Sequence, residues 1–513
     1  MPTVEEGYRT AVVREEPTRK PRTHSTSIRP ERPKRPRPGD TGSRDTGNRV
    51  QNHPYPDTDV KDTSMSLALP PGLRFSAATS AFQIEGARGA DGSGRSIWDD
   101  FLETPGAISD GSTADPACDS YRHPERDVRL ASELGLDRYR FSIPWSRVQP
   151  DGRGAANAAA LDHYSRVVDL LLDAGVAPFP TLYHWEMPSA VEADGGWLAR
   201  DTAERFRDYV SMVAGRLGDR VRHWYTLNEP AMTTLQGYAT GALAPGRHLL
   251  FDALPTVHHQ LLAHAGAAEV LRSRGAAQVV IPNNHTRVLP RTGTDDDRAA
   301  ARLYDLLHNR LFSEPLLEGT YPDLETLGLA PMPVHDGDLQ AIRGSIDAYG
   351  VNFYNPTTVA AAGPNALIPF DIVPTPGVPY TGFGVEWPIM PESLRDFLVD
   401  LKNRHPHLPP VIVAENGASF SEPERAARVD DADRIDYLSR HLAAVGEAIA
   451  AGVDVEEYTV WSLLDNWEWA DGYTQRFGLV HVDFETGERT PKASYDWYRD
   501  LIARTRGGSG SAR

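Results

Sequence analysis

The clearest pattern along this chain is an alternation of short apolar runs with longer amphipathic stretches, from about residue 69 to residue 504. In two of these stretches the apolar residues recur every three or four positions, which places them on one face of a helix. They are Leu161, Tyr164, Val168 and Leu171 in one stretch and Ile435, Leu438, Leu442, Val445 and Ile449 in the other. Both stripes predict helices that pack one face against a core.

The apolar runs between the helical stretches are candidates for buried strands. They are Leu73–Ala77, Arg138–Ile143, Pro178–Tyr183, His223–Leu227, Val279–Pro282, Ala348–Phe353, Val411–Ala414 and Tyr458–Trp461. Strands separated by helices pair in parallel. Eight of them predict an α/β protein with a single (β/α)8 TIM barrel. The Gly- and Pro-rich stretch Ala361–Gly384 is then an oversized loop, and such loops gather at the C-terminal face and carry function.

The two ends of the chain differ in composition from the barrel domain, which we place at residues 67–505. Residues 1–66 are rich in Pro, Arg and Lys and poor in apolar side chains. They cannot bury enough surface to offset the entropy lost on ordering, so we predict a disordered tail. A solvated tail is favoured over one that binds nucleic acid, and Met65 is an alternative translation start. Residues 506–513 are predicted to form a flexible Gly/Ser tail.

The charge and cysteine content narrow the range of partners and compartments. With 53 basic and 71 acidic residues the net charge is −18, which disfavours nucleic acid and anionic membranes and fits a small neutral substrate. The single cysteine, Cys118, excludes an internal disulfide and fits a reducing compartment. No apolar stretch is long enough to span a bilayer or to serve as a signal core, so a cytoplasmic protein is expected. A homo-oligomer is left open.

Polar and aromatic residues stand where most of the predicted strands end, although a buried core would not favour them there. They are Gln83 after the first strand, Arg140 within the second, His184 and Trp185 after the third, Asn228, Glu229 and Pro230 after the fourth, Asn352 and Tyr354 after the sixth, Glu415, Asn416 and Gly417 after the seventh, and Trp461–Trp469 after the eighth. The C-terminal ends of parallel barrel strands converge on one mouth. Glu229 and Glu415 should therefore meet there, far apart as they are in sequence.

Two facing carboxyl groups can carry out glycoside hydrolysis. One stays protonated to assist the leaving oxygen, and the other is ionised and meets the positive charge that develops on the sugar. Groups about 5–5.5 Å apart give retention of configuration, whereas groups about 6.5–9.5 Å apart admit a water and give inversion. The residues alone leave this distance open. The ionised partner raises the pKa of its neighbour, so a glutamic acid can keep its proton near neutral pH.

Six stretches carry motifs in a definite order. Two of them are Thr226-Leu227-Asn228-Glu229-Pro230 and Val413-Ala414-Glu415-Asn416-Gly417. The others are residues 75–86 (FSAATSAFQIEG), 139–150 (YRFSIPWSRVQP), 182–188 (LYHWEMP) and 460–482 (VWSLLDNWEWADGYTQRFGLVHV). They resemble glycoside hydrolase family 1, the β-glucosidase family, whose acid/base motif is T-x-N-E-P and whose nucleophile motif is T-E-N-G. The resemblance covers about residues 75–498 and implies a retaining β-glycosidase, in the first place a β-glucosidase, with no metal or organic cofactor.

The resemblance also implies a role for each matching residue. Glu229 would be the acid/base and Glu415 the nucleophile, which attacks to form a covalent glycosyl-enzyme. The implied sugar contacts are Asn228 to the 2-hydroxyl, Gln83, His184 and Glu468 to the 3-, 4- and 6-hydroxyls, Trp461 as the platform under the ring, and Trp185, Trp469 and Phe477 as further substrate-binding positions. Tyr354 and Arg140 would hold Glu415 ionised by lowering its pKa. Asn352 would support that network.

The chain departs from the family pattern at a few positions. Ala414 replaces the threonine of the nucleophile motif, Glu186 and Met187 replace Asp and Leu after the third strand, and Ser120 replaces a frequent histidine. Glu457 stands where the family usually has a glycine. A side chain there puts the local geometry of the eighth strand in doubt.

Three alternative functions can be weighed on the same residues. Relatives that act on 6-phosphorylated sugars bind phosphate where this chain has Glu468, a carboxylate that would repel a phosphate dianion. A non-catalytic carbohydrate-binding barrel would be expected to lose one of the two glutamates. A transglycosidase uses the same residues and stays open. Preference for glucoside, galactoside or fucoside is also open, and the aglycone preference depends on the loops Gln236–Leu250, Gly319–Asp336 and Ala361–Gly384.

Overall fold

A closed barrel of eight parallel strands forms the centre of the protein. The structure, a computed structural model, describes residues 67–384, 387–424 and 427–507. The barrel strands are β1 (Arg74–Ala78), β2 (Arg138–Ser142), β3 (Ala177–Tyr183), β4 (His223–Leu227), β5 (Gln278–His285), β6 (Ala348–Phe353), β7 (Val411–Asn416) and β8 (Val455–Trp461). Each strand pairs with the next in chain order, and β8 pairs with β1. The predicted (β/α)8 barrel is confirmed.

Three strands extend two or more residues beyond the predicted apolar runs. β5 continues through Asn283 and Asn284 to His285, β7 reaches Asn416, and β8 begins at Val455. Apart from Val455, the added residues at these ends are polar because they lie at the two ends of the barrel, where side chains meet the mouth or the floor. A search for apolar runs therefore stops short of them.

Helices surround the barrel and connect its strands. The longer ones are Pro124–Glu133, Ala158–Asp173, Thr202–Leu217, Pro255–Ser273, Asp295–Asp305, Glu392–Arg404, Ala432–Ala450 and Ala493–Gly507. The short helical segments are Ala81–Ile84, Ala90–Gly92, Ile97–Phe101, Trp145–Val148, Ser189–Ala193, Gly196–Leu198, Pro230–Met232, Thr233–Thr240, Leu250–Ala253, Leu306–Arg310, Leu311–Leu317, Glu325–Leu327, Asp338–Arg343 and Trp469–Asp471. None of the helices in the described ranges is long and apolar enough to cross a membrane.

The two helical stripes occupy helices, as their spacing predicts. Tyr164, Val168 and Leu171 are buried, as are Leu438, Leu442 and Val445, while Leu161, Ile435 and Ile449 at the ends of the stripes are half-buried. The first helix starts at Ala158 because the side chain of Asn157 accepts a hydrogen bond from the backbone N–H of Ala159.

The oversized loop Ala361–Gly384 contains some regular structure that the sequence did not predict. Thr357–Ala361 pairs with Val288–Pro290 on one side and with Phe370–Ile372 on the other. A second small sheet, Val480–Asp483 with Glu488–Pro491, lies after the eighth barrel strand. Both sheets belong to connections between barrel elements.

The described part of the chain ends in a helix, Ala493–Gly507. The last helix continues through Gly507, two residues past the predicted boundary at 505. Leu501 and Ile502 are buried on this helix, whereas the residues after them are exposed or half-buried. The predicted tail at residues 1–66, the start at Met65 and residues 508–513 of the predicted tail 506–513 lie outside the described residues.

Glu457, which stands where the family usually has a glycine, lies at the floor of the barrel. This side chain is buried and accepts hydrogen bonds from Arg138 and from the hydroxyl of Ser76, both at 2.6 Å. The pairing of β7 with β8 skips Glu456, because Val411 aligns with Val455 and the next residue, Ile412, aligns with Glu457. The extra residue is a β-bulge, so the strand accommodates Glu457 by a local shift in register.

An apolar layer separates this charged floor from the mouth. Its members are Phe179, Tyr225, Val280, Ala348, Ile412 and Ala414. The rings of Phe179 and Tyr225 stack with centroids 3.9 Å apart, and the guanidinium of Arg140 lies over Tyr225 on the mouth side at 4.6 Å. The layer makes the barrel a packed core, and chemistry is confined to the mouth.

Candidate active site

The mouth of the barrel brings the predicted site residues together. Buried there are Gln83, Arg140, His184, Asn228, Glu229, Asn352, Tyr354, Glu415, Trp461, Trp469 and Phe477, while Trp185 and Glu468 are half-buried. They come from seven of the eight strand ends. The meeting of Glu229 and Glu415 follows from the shared direction of parallel strands.

Three of these residues have left-handed backbone conformations. Their φ angles are 69° at Trp185, 46° at Glu229 and 52° at Trp469. Such conformations cost a non-glycine residue roughly 1–3 kcal/mol and are common at functional sites. The turn at Glu229 is held from two sides, because its N–H donates to the carbonyl of Pro282 at 2.8 Å and the indole N–H of Trp185 donates to the carbonyl of Asn228 at 3.1 Å.

The glycine of the Glu415-Asn416-Gly417 turn is required by close packing. A Cβ atom on Gly417 would lie 1.8 Å from the carbonyl oxygen of Trp461. The contact keeps the chain after Glu415 against the end of β8, so the two segments that carry Glu415 and Trp461 have a fixed separation.

Glu415 is bound by a cation and a phenol. Arg140 Nη1 donates to Oε1 at 2.5 Å, and the hydroxyl of Tyr354 donates to Oε2 at 2.6 Å. Burial raises the pKa of Glu415 above its usual value, although Arg140 and Tyr354 act in the opposite direction. We expected these two partners to leave the pKa lowered; they act with the predicted sign, but the loss of hydration outweighs them.

Glu229 lies among neutral donors. Its Oε1 accepts hydrogen bonds from Nδ2 of Asn352 at 2.8 Å and from Nδ2 of Asn284 at 2.9 Å. Burial, and then the nearby carboxylate of Glu415, raise the pKa of Glu229 to about 8. Because only Glu415 has a cationic partner in direct contact, Glu415 loses its proton first and Glu229 keeps its own near neutral pH.

Asn228 sets the tautomer of His184. Arg140 Nη2 donates to Oδ1 of Asn228 at 2.6 Å, so Nδ2 of the same amide faces Nε2 of His184, 3.1 Å away. The histidine nitrogen must accept, and its proton is therefore on Nδ1. Burial and Arg140 hold the pKa of His184 well below its usual value, so the ring is neutral.

Three buried polar atoms at the mouth are left for a ligand. Gln83 Oε1, His184 Nδ1 and Asn352 Oδ1 have no protein hydrogen-bond partner within the described ranges. Buried polar atoms in native proteins are nearly always paired. Two acceptors and one donor around one opening can be satisfied by the hydroxyl groups of a sugar.

Gln83 and Glu468 form a second pair at the mouth. Nε2 of Gln83 donates to a carboxylate oxygen of Glu468 at 3.1 Å and to Oδ1 of Asn466 at 2.9 Å. Burial, and then Asp471 and Glu415, raise the pKa of Glu468 well above its usual value. The mouth is thus acidic around Glu468.

Aromatic rings line the same opening. The ring of His184 lies nearly parallel to those of Trp461 and Trp469, with centroids 5.7 and 5.9 Å away, and Trp185 lies 4.8 Å from Trp469. Flat apolar surfaces of this kind match the C–H faces of a sugar ring. Phe477 packs farther along, at 6.3 Å from Tyr354.

The sequence reasoning missed two groups at the mouth. Asn284 contacts Glu229, and Phe383 and Trp387 stack on each other at 4.5 Å and pack against Phe477. Asn284 is a polar residue at a strand end, like the site residues that were predicted. It was missed because it lies beyond the apolar run that predicted the fifth strand. The aromatic pair lies at and just beyond the end of the predicted loop, where no strand pattern marked it.

The other departures from the family pattern leave the two carboxyl groups of the mouth in place. The carbonyl oxygen of Ala414 accepts from Arg140 at 2.9 Å, and Ser120 Oγ accepts from Arg489 at 3.2 Å. Glu186 is buried, and its pKa is raised to about 8 by burial and by the neighbouring Glu85. None of these substitutions removes a contact to either carboxyl group at the mouth.

One cluster of acidic and histidine side chains has a spacing that could suit a metal. Ligand atoms of Glu422, Asp465 and His481 lie within 4.8 Å of one another. The ammonium of Lys492 lies among them, 2.5 Å from Glu422 and 2.8 Å from Asp465. A built-in cation therefore already balances the two carboxylates.

The mouth of the barrel holds one glutamate bound by arginine and a second bound by amide donors, between aromatic and polar side chains. This is the arrangement of a glycoside hydrolase. Comparison with known proteins agrees. The model of glycosyl hydrolase family 1 matches residues 65–507. The chain belongs to glycosyl hydrolase family 1, as its motifs predicted, and it is a hydrolase of glycosidic bonds.

Several of the similar proteins are β-glucosidases by name. Thermostable β-glucosidase B of Thermobispora bispora is 43% identical over 455 residues, which cover 87% of this chain and 93% of the relative. A bifunctional β-D-glucosidase/β-D-fucosidase of Bifidobacterium breve is 41% identical, with 86% and 99% covered. Among solved structures, the psychrophilic β-glucosidase BglU of Micrococcus antarcticus is 42% identical with a TM-score of 0.82, over 86% of this chain and 98% of that one.

Proposed function

We propose that the protein is a retaining β-glucosidase in which Glu415 is the nucleophile and Glu229 the acid/base. The observation that carries the assignment is the contrast between the two carboxyl groups. Glu415 is bound by Arg140 and Tyr354, which stabilise a negative charge, whereas Glu229 has amide donors only and lies beside that charge. Each group is thus in the protonation state that its role needs at neutral pH.

In the first step a carboxylate oxygen of Glu415 attacks the anomeric carbon of the bound sugar. The bond between that carbon and the leaving oxygen breaks, and its electron pair goes to the leaving oxygen, which takes the proton from Glu229. The products are an alcohol, a glycosyl ester on Glu415 and an ionised Glu229. Glu415 loses its negative charge when it becomes an ester, so its hydrogen bonds with Arg140 and Tyr354 weaken in this step. They are restored in the next step, when the carboxylate is released.

In the second step a water molecule replaces the alcohol. The Glu229 carboxylate removes a proton from the water, the water oxygen bonds to the anomeric carbon, and the ester bond breaks with its electron pair returning to Glu415. The sugar leaves with the configuration it had in the substrate, because the carbon has been inverted twice. Both glutamates return to their starting states.

The walls of the mouth bind the sugar. Asn228 binds the 2-hydroxyl beside the reacting carbon, a role supported by its position next to Glu229 and its hydrogen bond from Arg140. Gln83, His184 and Glu468 bind the remaining hydroxyls, Trp461 and Trp469 provide apolar surfaces, and Trp185 and Phe477 are further contacts. The unpaired Nδ1–H of His184 and Oε1 of Gln83 offer one donor and one acceptor.

An unphosphorylated glucoside is the substrate that these groups suit. The groups that act on Glu468, Asp471 and Glu415, are themselves acidic, and acidic surroundings disfavour the dianion of a 6-phosphate. The names of the relatives from Thermobispora and Bifidobacterium support glucose, and the second adds fucose as a further glycone. A transglycosidase with the same residues is the second candidate, since an acceptor alcohol can replace water in the second step.

A panel of nitrophenyl glycosides tests the glycone, and proton NMR of the first product tests the stereochemistry. We expect β-glucoside hydrolysis with β-glucose as the first anomer formed. Mass spectrometry of the protein treated with a 2-deoxy-2-fluoro β-glucoside should place the sugar on the peptide that contains Glu415. α-Glucose as the first product, or labelling of another residue, would contradict the mechanism. Product analysis with and without an added alcohol separates hydrolysis from transfer.

The compartment is a further part of the proposal. Cys118 is the single cysteine, and its buried thiol donates to the carbonyl of Asp465 at 3.1 Å. Such a thiol fits a reducing compartment, and the net charge of −18 disfavours nucleic-acid partners. We propose a cytoplasmic enzyme, which cell fractionation would test.

A further inference from the structure

Both hydrogen bonds that the described chain makes to the carboxyl group of Glu229 end on the same oxygen. Nδ2 of Asn352 and Nδ2 of Asn284 lie 2.8 and 2.9 Å from Oε1. In a carboxylic acid the carbonyl oxygen is the better acceptor, and the other oxygen carries the proton. Two N–H donors on Oε1 therefore favour Oε2 as the oxygen that holds the proton.

The orientation of the amides follows from Arg140, which has donors and no acceptor. Nη2 of Arg140 lies 2.6 Å from the side chain of Asn228, so the atom that meets it is Oδ1. The atom of Asn352 that lies 3.1 Å from this oxygen is therefore Nδ2. The same Nδ2 reaches Oε1 of Glu229, which makes Oε1 an acceptor.

Asn284 is oriented from its other side by a buried histidine. Because Oε1 of Glu229 accepts, Asn284 presents Nδ2 to it and turns Oδ1 toward Nε2 of His308, 2.8 Å away. Oδ1 can only accept, so His308 donates from Nε2. Burial lowers the pKa of His308 to about 4, which keeps the ring neutral at neutral pH. Tyr304 stacks on that ring with centroids 5.3 Å apart.

We propose that Asn284 and His308 are positioning residues for the acid/base: His308 orients Asn284, and Asn284 directs the transferable proton of Glu229 to Oε2. The inference rests on the acid/base role proposed for Glu229. Asn352 supplies the other donor from the side of Arg140, so the acid is held from two sides of the mouth. Asn284 and His308 act through Glu229 and not on the sugar.

The charged and titratable groups around Glu229 do not include Asn284 or His308. They are Glu415 and Arg140, together with Tyr354 and Glu468, which sense the charge of Glu229. The titratable neighbour of His308 is His285, which is also kept neutral because burial lowers its pKa to about 3. A change at Asn284 or His308 leaves all of these charges in place, so its effect on Glu229 reports the hydrogen bond.

The direction of the pKa change at Glu229 follows from the role of its Oε1 as a hydrogen-bond acceptor. A donor to Oε1 stabilises the ionised form of Glu229 and so lowers its pKa. Without this donor the pKa rises, Glu229 keeps its proton to higher pH, and the basic limb of kcat/KM moves upward. The expected shift is about one pH unit, since a hydrogen bond to a charged group is worth roughly one pKa unit.

The test compares three variants of the whole chain on a β-glucoside with a poor leaving group, such as cellobiose, whose cleavage needs the proton. Asn284→Leu keeps the size of the side chain and removes the donor. His308→Leu removes the group that orients Asn284, and His308→Gln keeps an N–H that can reach Oδ1. We expect the basic limb to move up by about one unit in the first variant, by less in the second, and to return toward the wild-type position in the third.

Asn283→Leu is the matched control, because it makes the same substitution one position earlier on β5. Successive strand residues face opposite sides, and in the described chain the Asn283 amide donates to the carbonyl of Ile281 and not to Glu229. The basic limb of kcat/KM for Asn283→Leu should stay at the wild-type pH even if Tm falls. A limb that is unmoved or lowered in Asn284→Leu, or identical limbs in the two His308 variants, would overturn the inference. A wild-type protein without glycosidase activity would contradict the proposed function instead.

Discussion

Replacement of Tyr354 by phenylalanine tests how Glu415 is kept ionised. The change removes one hydroxyl, which donates to Oε2 of Glu415 at 2.6 Å, and leaves the contact of Arg140 with Oε1 in place. A hydrogen bond to a charged group contributes about 1.5–3 kcal/mol. Because Arg140 remains, we take the lower end, about 1.5 kcal/mol, which corresponds to about one pKa unit.

The role of Glu415 determines the direction in which the acid limb of the pH profile moves. The lost bond stabilised the ionised form, so its removal raises the pKa of Glu415 further above its usual value. Activity needs the ionised form and is lost as the pH falls through that pKa. The acid limb of kcat/KM should therefore move about one unit toward neutral pH, and the rate at mildly acidic pH should fall about tenfold.

The assay is the pH dependence of kcat/KM for a nitrophenyl glucoside, with Tm measured in parallel. Tyr209→Phe is a matched control, since it removes a buried hydroxyl that donates to the carbonyls of Ile143 and Leu182 and not to Glu415. The control should lose stability without moving the acid limb. If the acid limb of Tyr354→Phe stayed in place or moved to lower pH, the account of Glu415 would be refuted.

Three further predictions use other parts of the structure. Glu415→Ala should abolish hydrolysis, whereas Glu229→Ala should keep activity on substrates with good leaving groups and be rescued by azide as a glycosyl azide; near-normal turnover of Glu415→Ala would exclude it as nucleophile. The wild-type pH profile should be bell-shaped with a basic limb near pH 8, the value to which the pKa of Glu229 is raised; a profile flat through that region would count against the pair. Glu457→Gly should destabilise the fold by about 3–5 kcal/mol in denaturant unfolding, because it leaves Arg138 buried without its partner; Arg138→Ala in addition should recover most of the loss, and a double variant no more stable than the single one would show that the pair is not coupled.

Much of the fold was accessible from the spacing of apolar residues. Period and length distinguish buried strands from amphipathic helices, and the alternation of the two over most of the chain favours a parallel barrel. The polar residues at strand ends then indicated the mouth, since parallel strands send their C-terminal ends to one side. The apolar criterion failed at Asn284 and at Glu457, where strands continue into polar residues.

The chain by itself determined the barrel, the two glutamates and most of the residues around them, because these depend on local periodicity and on motifs of adjacent residues. Tertiary structure decided which atoms meet. It paired Glu457 with Arg138 across the floor, placed Asn284 and His308 behind Glu229, and buried Glu415 deeply enough that its pKa rises despite Arg140. Hydration and hydrogen bonding depend on distances between residues remote in sequence, and only the folded chain sets those distances.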